Sequence, residues 1–241
     1  MPLSHLGETR SSRKHDHILQ TPDTFIRAAL PGMQKCLAIV HCGPASGAGF
    51  TQYTAEMQSR GTLGRTTGQR FTYVLDGGIT VAEAFLGPGS FAFIPQGEEH
   101  SVEAVAESRV IVIEKRYVPM PDRPVPAFFT GSEHDTVAKP LAGDEDISVR
   151  SLVPDHTGHD FAVNTLSYLP GASLPLVELH IMEHGLFMLT GSGIYRLGDS
   201  WYPVAAGDFI WMAPYCPQWF GALGKARAKY LLYKDWNRHP L

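Results

Sequence analysis

Glu178, His180 and His184 stand at even spacing in the run Glu178-Leu-His180-Ile-Met-Glu-His184, and Gln218 follows a second glycine-led segment. Residues two apart in an extended chain share a face, so Glu178 and His180 are expected to project together from one strand. Met182 and Glu183 would then form the bend that returns His184 to them from a neighbouring strand. Two imidazoles and a carboxylate converging on one point are the donors a divalent metal takes. A single Glu or His is most often a surface residue. The triple, set in apolar strand-like sequence, argues for a metal site. Glu183 lies between two of these residues at odd parity and is expected to point away from them, into solvent.

A second stretch with chemical potential is Lys229-Tyr-Leu-Leu-Tyr-Lys234. Its alternation places Tyr230, Leu232 and Lys234 on one face and Lys229, Leu231 and Tyr233 on the other. By pattern alone a lysine at a strand end is solvated as often as it is functional. Trp201, Trp211 and Trp219 are expected in the core, with Trp219 nearest the pocket rim because it follows Gln218. Arg196, Asp235 and Arg238 read as surface or structural groups. Cys36, Cys42 and Cys216 read as free thiols of a reducing compartment. Cys216 could line a pocket, although nothing beside it suggests an activated thiolate.

These groups need a scaffold. The 241 residues suffice for one large or two modest domains. With 24 Gly and 18 Pro spread along the chain, short strands and turns are expected rather than helices. A net charge of −4 offers no basic field, which argues against nucleic acid as a partner. No apolar run reaches the ~18–20 residues of a membrane span. The first twenty residues lack the apolar core of a signal peptide, so a cytoplasmic protein is expected. Those residues carry His5, His15 and His17 and read as a polar, mobile or surface-draped arm.

An internal repeat organises the remainder. Tyr73-Val-Leu-Asp-Gly77 matches Phe187-Met-Leu-Thr-Gly191, and Gly89-Ser-Phe-Ala-Phe-Ile matches Gly207-Asp-Phe-Ile-Trp-Met. His100 and Gln218 each lie eleven residues after the second glycine of their copy. Two copies of one β-barrel domain follow, and the short, regular strands fit a double-sheet jelly roll. The expected division is a polar arm over 1–20, a first barrel over 21–117, a linker and irregular segment over 118–146, and a second barrel over 147–241. Counting back from Gly77 as from Gly191 sets Arg70 opposite His184, Thr66 opposite His180 and Gly64 opposite Glu178. A cation, a hydroxyl and a glycine hold no metal. The first barrel is therefore expected to be scaffold, with His100 a surface or hydrogen-bonded residue.

With its glycines, the central stretch reads Gly171-x6-Glu178-x-His180-x3-His184-x6-Gly191, followed by Gly207-x10-Gln218. This resembles the two-part metal signature of the cupin superfamily, with the carboxylate moved first and Gln in place of the last His. Together with the run EHGLFMLTGSGIYRLGDSWYPVAAGDFIWMAPYCPQW and the tail YLLYKDWNR, that variant closely resembles the (S)-ureidoglycine aminohydrolases, a bicupin family. The resemblance covers most of the chain. It implies an all-β protein of two tandem cupin barrels, with Mn²⁺ bound in the second by Glu178, His180, His184 and Gln218. Two nitrogens, a carboxylate oxygen and an amide oxygen form a hard donor set that suits Mn²⁺, while Fe²⁺, Zn²⁺, Co²⁺ and Ni²⁺ stay open. The resemblance also puts Tyr195, Tyr230 and Lys234 at the substrate, with Lys234 and Glu178 as candidate catalytic groups.

The implied reaction is hydrolytic release of ammonia from (S)-ureidoglycine, giving (S)-ureidoglycolate, in purine (allantoin) breakdown. The leaving amine needs a proton, from Lys234 or from a metal-bound water. The expected partner is a small-molecule substrate, and a homo-oligomer is expected. Two rival readings remain at this point: another metal-dependent cupin enzyme, such as a dioxygenase or isomerase, and a non-enzymatic barrel that binds a small ligand.

Overall fold

The structure, a computed structural model, describes residues 9–154 and 156–235. His5 and Arg238 lie outside them. The regular elements of the described residues are strands, apart from 3-10 turns at Pro22–Thr24, Pro44–Ser46 and Glu133–Asp135. None of their helices is long and apolar enough to cross a membrane.

The chain divides into two compact all-β units. One gathers Ile26–Val137 and Leu152–Asp160, and the other gathers the residues up to Phe25, Ala138–Ser151 and the residues from Phe161 onward. This partition differs from the boundaries expected from sequence. Arm residues 12–20 are not draped or mobile. His17–Gln20 adds to the edge of the second unit's main sheet, pairing antiparallel with Phe209–Met212 (Met212 opposite His17, Phe209 opposite Gln20). Leu19 and His17 are buried there. Arg10 donates to the fully buried Asp208 carboxylate at 2.5 and 2.9 Å. The polar composition concealed this because His17, Arg10 and Asp16 each have specific partners.

Part of the segment expected to be irregular forms strands, Phe129–Ser132, Lys139–Leu141 and the start of Asp144–Ser151, while residues 118–128 carry none. Phe129–Ser132 pairs with Ser90–Ile94 in the first unit, and Phe129 stacks on Phe93 at 5.2 Å between ring centroids. Lys139–Leu141 pairs with Asp144–Ser151 at the far edge of the second unit's sheet. Pro140 obscured the Lys139–Leu141 strand, whose edge position tolerates a missing N–H.

The second unit positions the site. Its eight-stranded sheet runs Ser12–Arg13, His17–Gln20, Phe209–Met212, His184–Thr190, Ala228–Asp235, Phe161–Tyr168, Asp144–Ser151, Lys139–Leu141. A three-stranded sheet runs Ser200–Ala205, Ser192–Leu197, Gln218–Leu223. Leu166, Leu186, Met188, Ile210, Phe220 and Tyr230 belong to the core cluster that these strands enclose. In the first unit, Thr51–Thr62, Gln69–Asp76 and Ser108–Lys115 are the long central strands, around a separate core of Val74, Ala92, Val110 and Val112.

The repeat seen in sequence is also a repeat in backbone geometry. Gly89 N–H donates to Val74 O at 2.9 Å, and Gly207 N–H donates to Met188 O at 2.8 Å. Gly77 and Gly191 both have positive φ, +77° and +74°. A Cβ on Gly77 would lie 2.2 Å from Glu107 O, and one on Gly191 would lie 2.5 Å from Arg227 O. Each turn therefore needs glycine for its backbone angle and for close passage of the next strand.

If the N-terminal strand belongs to the fold, Leu19→Ala should cost stability. Leu19 is 1% exposed within the core cluster, and truncating a buried leucine costs about 2–5 kcal/mol. Urea denaturation should show a midpoint well below that of the parent chain, whereas a mobile arm would leave it unmoved.

Candidate active site

Glu178, His180, His184 and Gln218 line one cavity of about 130 Å³ in the second unit, together with Tyr195, Tyr230 and Lys234. The chain reaches this arrangement by a different local route from the one expected. Glu178 and His180 do not lie on a regular strand. They sit in a loop tied down by an isolated antiparallel bridge, in which Glu178 N–H donates to Gln218 O at 2.8 Å and Gln218 N–H returns to Glu178 O at 2.9 Å. The backbone thus locks two of the four proposed ligand positions together. Tyr215 N–H donates to His180 O at 2.7 Å and fixes the loop further along. Bends at Ile181 and Met182 then deliver His184 as the first residue of its strand.

The side chains converge. His180 Nε2 lies 3.1 Å from Glu178 Oε2, and the His180 and His184 rings are 5.0 Å apart between centroids. Tyr195 donates its hydroxyl to Gln218 Oε1 at 3.2 Å, which orients the amide oxygen. The Tyr230 and Tyr168 hydroxyls are 2.7 Å apart, both buried. Lys234 sits directly opposite His184 in the antiparallel register.

Burial, then the neighbouring His180 and Lys234 charges, hold the His184 pKa down at about 3, against a smaller raising effect of a backbone hydrogen bond at Met182. Its imidazole is therefore neutral, the form that ligates a metal. The backbone bond raises the pKa, so it is accepted from the ring, and it steers the other ring nitrogen as such partners do for metal-bound histidines. The unfolded chain takes up a proton near pH 6.5 that this folded site refuses. Acid below that range consequently favours unfolding. Burial also raises the Tyr195 and Tyr230 hydroxyl pKa values well above the ordinary value, so both remain proton donors. A neutral buried imidazole, a second imidazole, a carboxylate and an amide oxygen held by a phenol fit a hard divalent ion.

The equivalent place in the first unit is a cavity of about 270 Å³ whose lining includes Thr66, Arg70 and His100. Arg70, at the position of His184, donates to Gly64 O at 2.6 Å and through Nε to Glu114 Oε1 at 2.7 Å. Glu114 lies opposite Arg70 in the register, as Lys234 lies opposite His184. A partly buried ion pair stands where the second unit carries the proposed ligand His184. His100 pairs with Glu98 at 3.0 Å and packs on Phe128.

Other features divide around this site. Glu183 faces away from the ligands as expected but not into solvent: it is buried and accepts from Trp211 Nε1 at 2.9 Å. The odd-parity face here meets a neighbouring strand's tryptophan, which sequence parity could not reveal. Trp211 is core, Trp201 is exposed, and Trp219 packs on Trp201 while donating to Leu174 O, outside the cavity lining. Cys216 is buried off the cavity, its thiol pushed up to about 11 by burial, and is inert. Arg196 donates to Gly198 O, and the Asp235 backbone N–H donates to Glu183 O, both structural roles.

Among the described residues, the His/Cys/Asp/Glu group whose potential donor atoms all lie within 4.8 Å of one another is Asp16, His17 and Cys216, away from the Glu178 cavity. Both His17 ring nitrogens are already engaged, with Asp16 at 2.8 Å and Tyr202 at 2.9 Å, so this group reads as the anchor of the N-terminal strand. A larger groove of about 960 Å³ in the first unit has no converging ligands, and its Arg109 is paired with Asp76. Sequence reasoning missed Tyr168 and Asn164. Both face inward on Phe161–Tyr168, a strand buried on both faces whose parity carries no polar-apolar contrast.

No family model matches the chain. It is 38% identical over 242 residues to the (S)-ureidoglycine aminohydrolase of Arabidopsis thaliana, covering 98% of this chain and 80% of that protein. It is 32% identical over 241 residues to the (S)-ureidoglycine aminohydrolase of Escherichia coli, covering 95% and 92%. Among solved structures, the E. coli protein Ylba superposes with a TM-score of 0.85 over all of both chains at 28% identity. The Mn(II)-containing oxalate decarboxylase of Bacillus subtilis superposes at 0.68 over 94% of this chain and 79% of that one. At 11% identity, that likeness speaks for the cupin fold alone.

The asymmetry between the two cavities has a measurable consequence. Metal analysis of the purified chain should give about one divalent ion per chain. His184→Ala should lose it, because the donor set has no spare imidazole, while circular dichroism stays that of a folded β protein. His100→Ala should keep the ion.

Proposed function

Because the chain belongs to the (S)-ureidoglycine aminohydrolase family, we propose that it hydrolyses (S)-ureidoglycine to (S)-ureidoglycolate and ammonia. The ion in this reading is one Mn²⁺ held by Glu178, His180, His184 and Gln218. The observation that carries the reading is the register that sets Lys234 against His184 inside the cavity lined by all four ligands. When bound, the metal supplies a positive charge that gathers an anionic substrate and polarises oxygen.

The chain's own residues do the rest. A cavity of about 130 Å³ suits a small polar molecule. Leu141, Val149, Leu166, Leu174 and Leu232 form its apolar wall and keep bulk water out, which strengthens each charge inside. In the reaction a C–N bond breaks, a C–O bond to the water oxygen forms, and the departing nitrogen must gain a proton. Lys234 is the cation at the site and the group we assign to deliver that proton or to hold the substrate carboxylate. Glu178 is the carboxylate of the same cavity and the natural proton acceptor from water. Tyr195 and Tyr230 remain protonated and orient oxygen: Tyr195 through Gln218 Oε1, Tyr230 through its shared hydrogen bond with Tyr168.

Lys234→Met should lower kcat for ammonia release by about 10²–10⁴-fold, the usual worth of a placed proton donor. Its metal content should match that of the parent chain. Ammonia release measured on freshly generated ureidoglycine is the test, and an unchanged kcat would return Lys234 to a solvated, structural role.

A further inference from the structure

We propose that Asn164 is the residue that recognises the carbamoyl end of the substrate, and so sets specificity for ureido compounds over simple acyl-amino acids. This rests on the ureidoglycine reading above and extends it to a residue that reading leaves unused. Asn164 lines the site cavity and is only 9% exposed. Its side-chain amide makes no hydrogen bond among the described residues. Its amide lines the cavity with donor and acceptor uncommitted to protein partners, so it is poised to hydrogen-bond a ligand there.

The other polar groups of the lining are already engaged. Glu178, His180, His184 and Gln218 form the proposed metal set, Tyr195 donates to Gln218, and Tyr230 pairs with Tyr168. Lys234 serves a carboxylate or a departing amine. That leaves the carbamoyl group, which carries one acceptor oxygen and an NH₂ donor. A carboxamide presents the same pair, so Asn164 can give and receive one hydrogen bond each in a planar match.

Placement agrees. Asn164 lies opposite Leu232 in the strand register, and Lys234 lies opposite Ala162, two residues away. Residues two apart on one strand face stand roughly 6.6 Å apart along the strand. An α-amino acid anchored by its charged end near Lys234 and the ligands would therefore extend its ureido arm toward the Asn164 layer. Leu166 and Leu232 flank that layer and supply no competing polar group.

The test uses the full chain loaded with Mn²⁺ and two stable probes, ureidoacetate and N-acetylglycine, which differ at the terminal NH₂ against CH₃. Calorimetry on the parent chain should show ureidoacetate binding at least ~10-fold tighter, since a site built to hydrogen-bond a group rejects the analogue lacking it. Asn164→Leu keeps the side chain's size and should bring the two affinities within about 3-fold of each other, with metal content and melting temperature near those of the parent. Should that variant misfold, Asn164→Ala provides the same comparison. Equal binding of the two probes by the parent chain, or an unchanged preference in a folded, metal-loaded variant, overturns the assignment. Ammonia release from ureidoglycine by the parent chain is measured separately. Its absence beside a preserved preference for ureidoacetate would sink the proposed reaction while leaving Asn164 as the carbamoyl reader.

Discussion

The antiparallel register between His184–Thr190 and Ala228–Asp235 is the constraint on which the site depends. It sets Lys234 opposite His184, Leu232 opposite Leu186 and Tyr230 opposite Met188. Side chains alternate with period two, so a slip of one residue would turn Lys234, Leu232 and Tyr230 out of the barrel and bring Leu231 and Tyr233 in. The apolar members of the ladder resist that slip. Leu186 and Met188 are buried in the core, and their burial holds in place the polar residues at the mouth. Stability and chemistry thus rest on one set of strand pairings.

The same register in the first unit shows how a barrel can retain its shape without the ligands. Arg70 and Glu114 occupy the places of His184 and Lys234 and neutralise each other, with Gly64 O taking a further guanidinium hydrogen bond. A buried charge is tolerated when it is paired and hydrogen-bonded. In the second unit the corresponding pair is a neutral imidazole and a lysine, neither of which cancels the other. Both line a cavity instead of forming an ion pair with each other.

The loop carrying Glu178 and His180 shows how irregular backbone can still be fixed in place. Its bridge to Gln218 is a single pair of hydrogen bonds, yet it joins the first and last of the proposed ligand positions directly. Tyr195 then holds the Gln218 side chain from the adjoining strand. Preorganisation of this kind removes the entropy of gathering donors before an ion or substrate arrives.

Much of this was legible from the chain alone. The spacing of Glu178, His180 and His184, the repeat glycines and the parity of the Lys229–Lys234 stretch are local, and local backbone periodicity translates them into faces and turns. Those signals sufficed for an all-β cupin fold, for bringing Glu178, His180, His184 and Gln218 to one cavity and for the inward turn of Tyr230 and Lys234. What the sequence could not disclose depends on which strand lies beside which. Residues 12–20 look polar in isolation, yet they form strands because Phe209–Met212 offers an open edge and Asp208 waits for Arg10. Glu183 looks solvent-facing until Trp211 is found against it. Asn164 carries no signal at all in a strand whose every residue is buried. Only the closed barrel reveals which of its two buried faces looks onto the site, because that choice is made by long-range packing and not by neighbours in the chain.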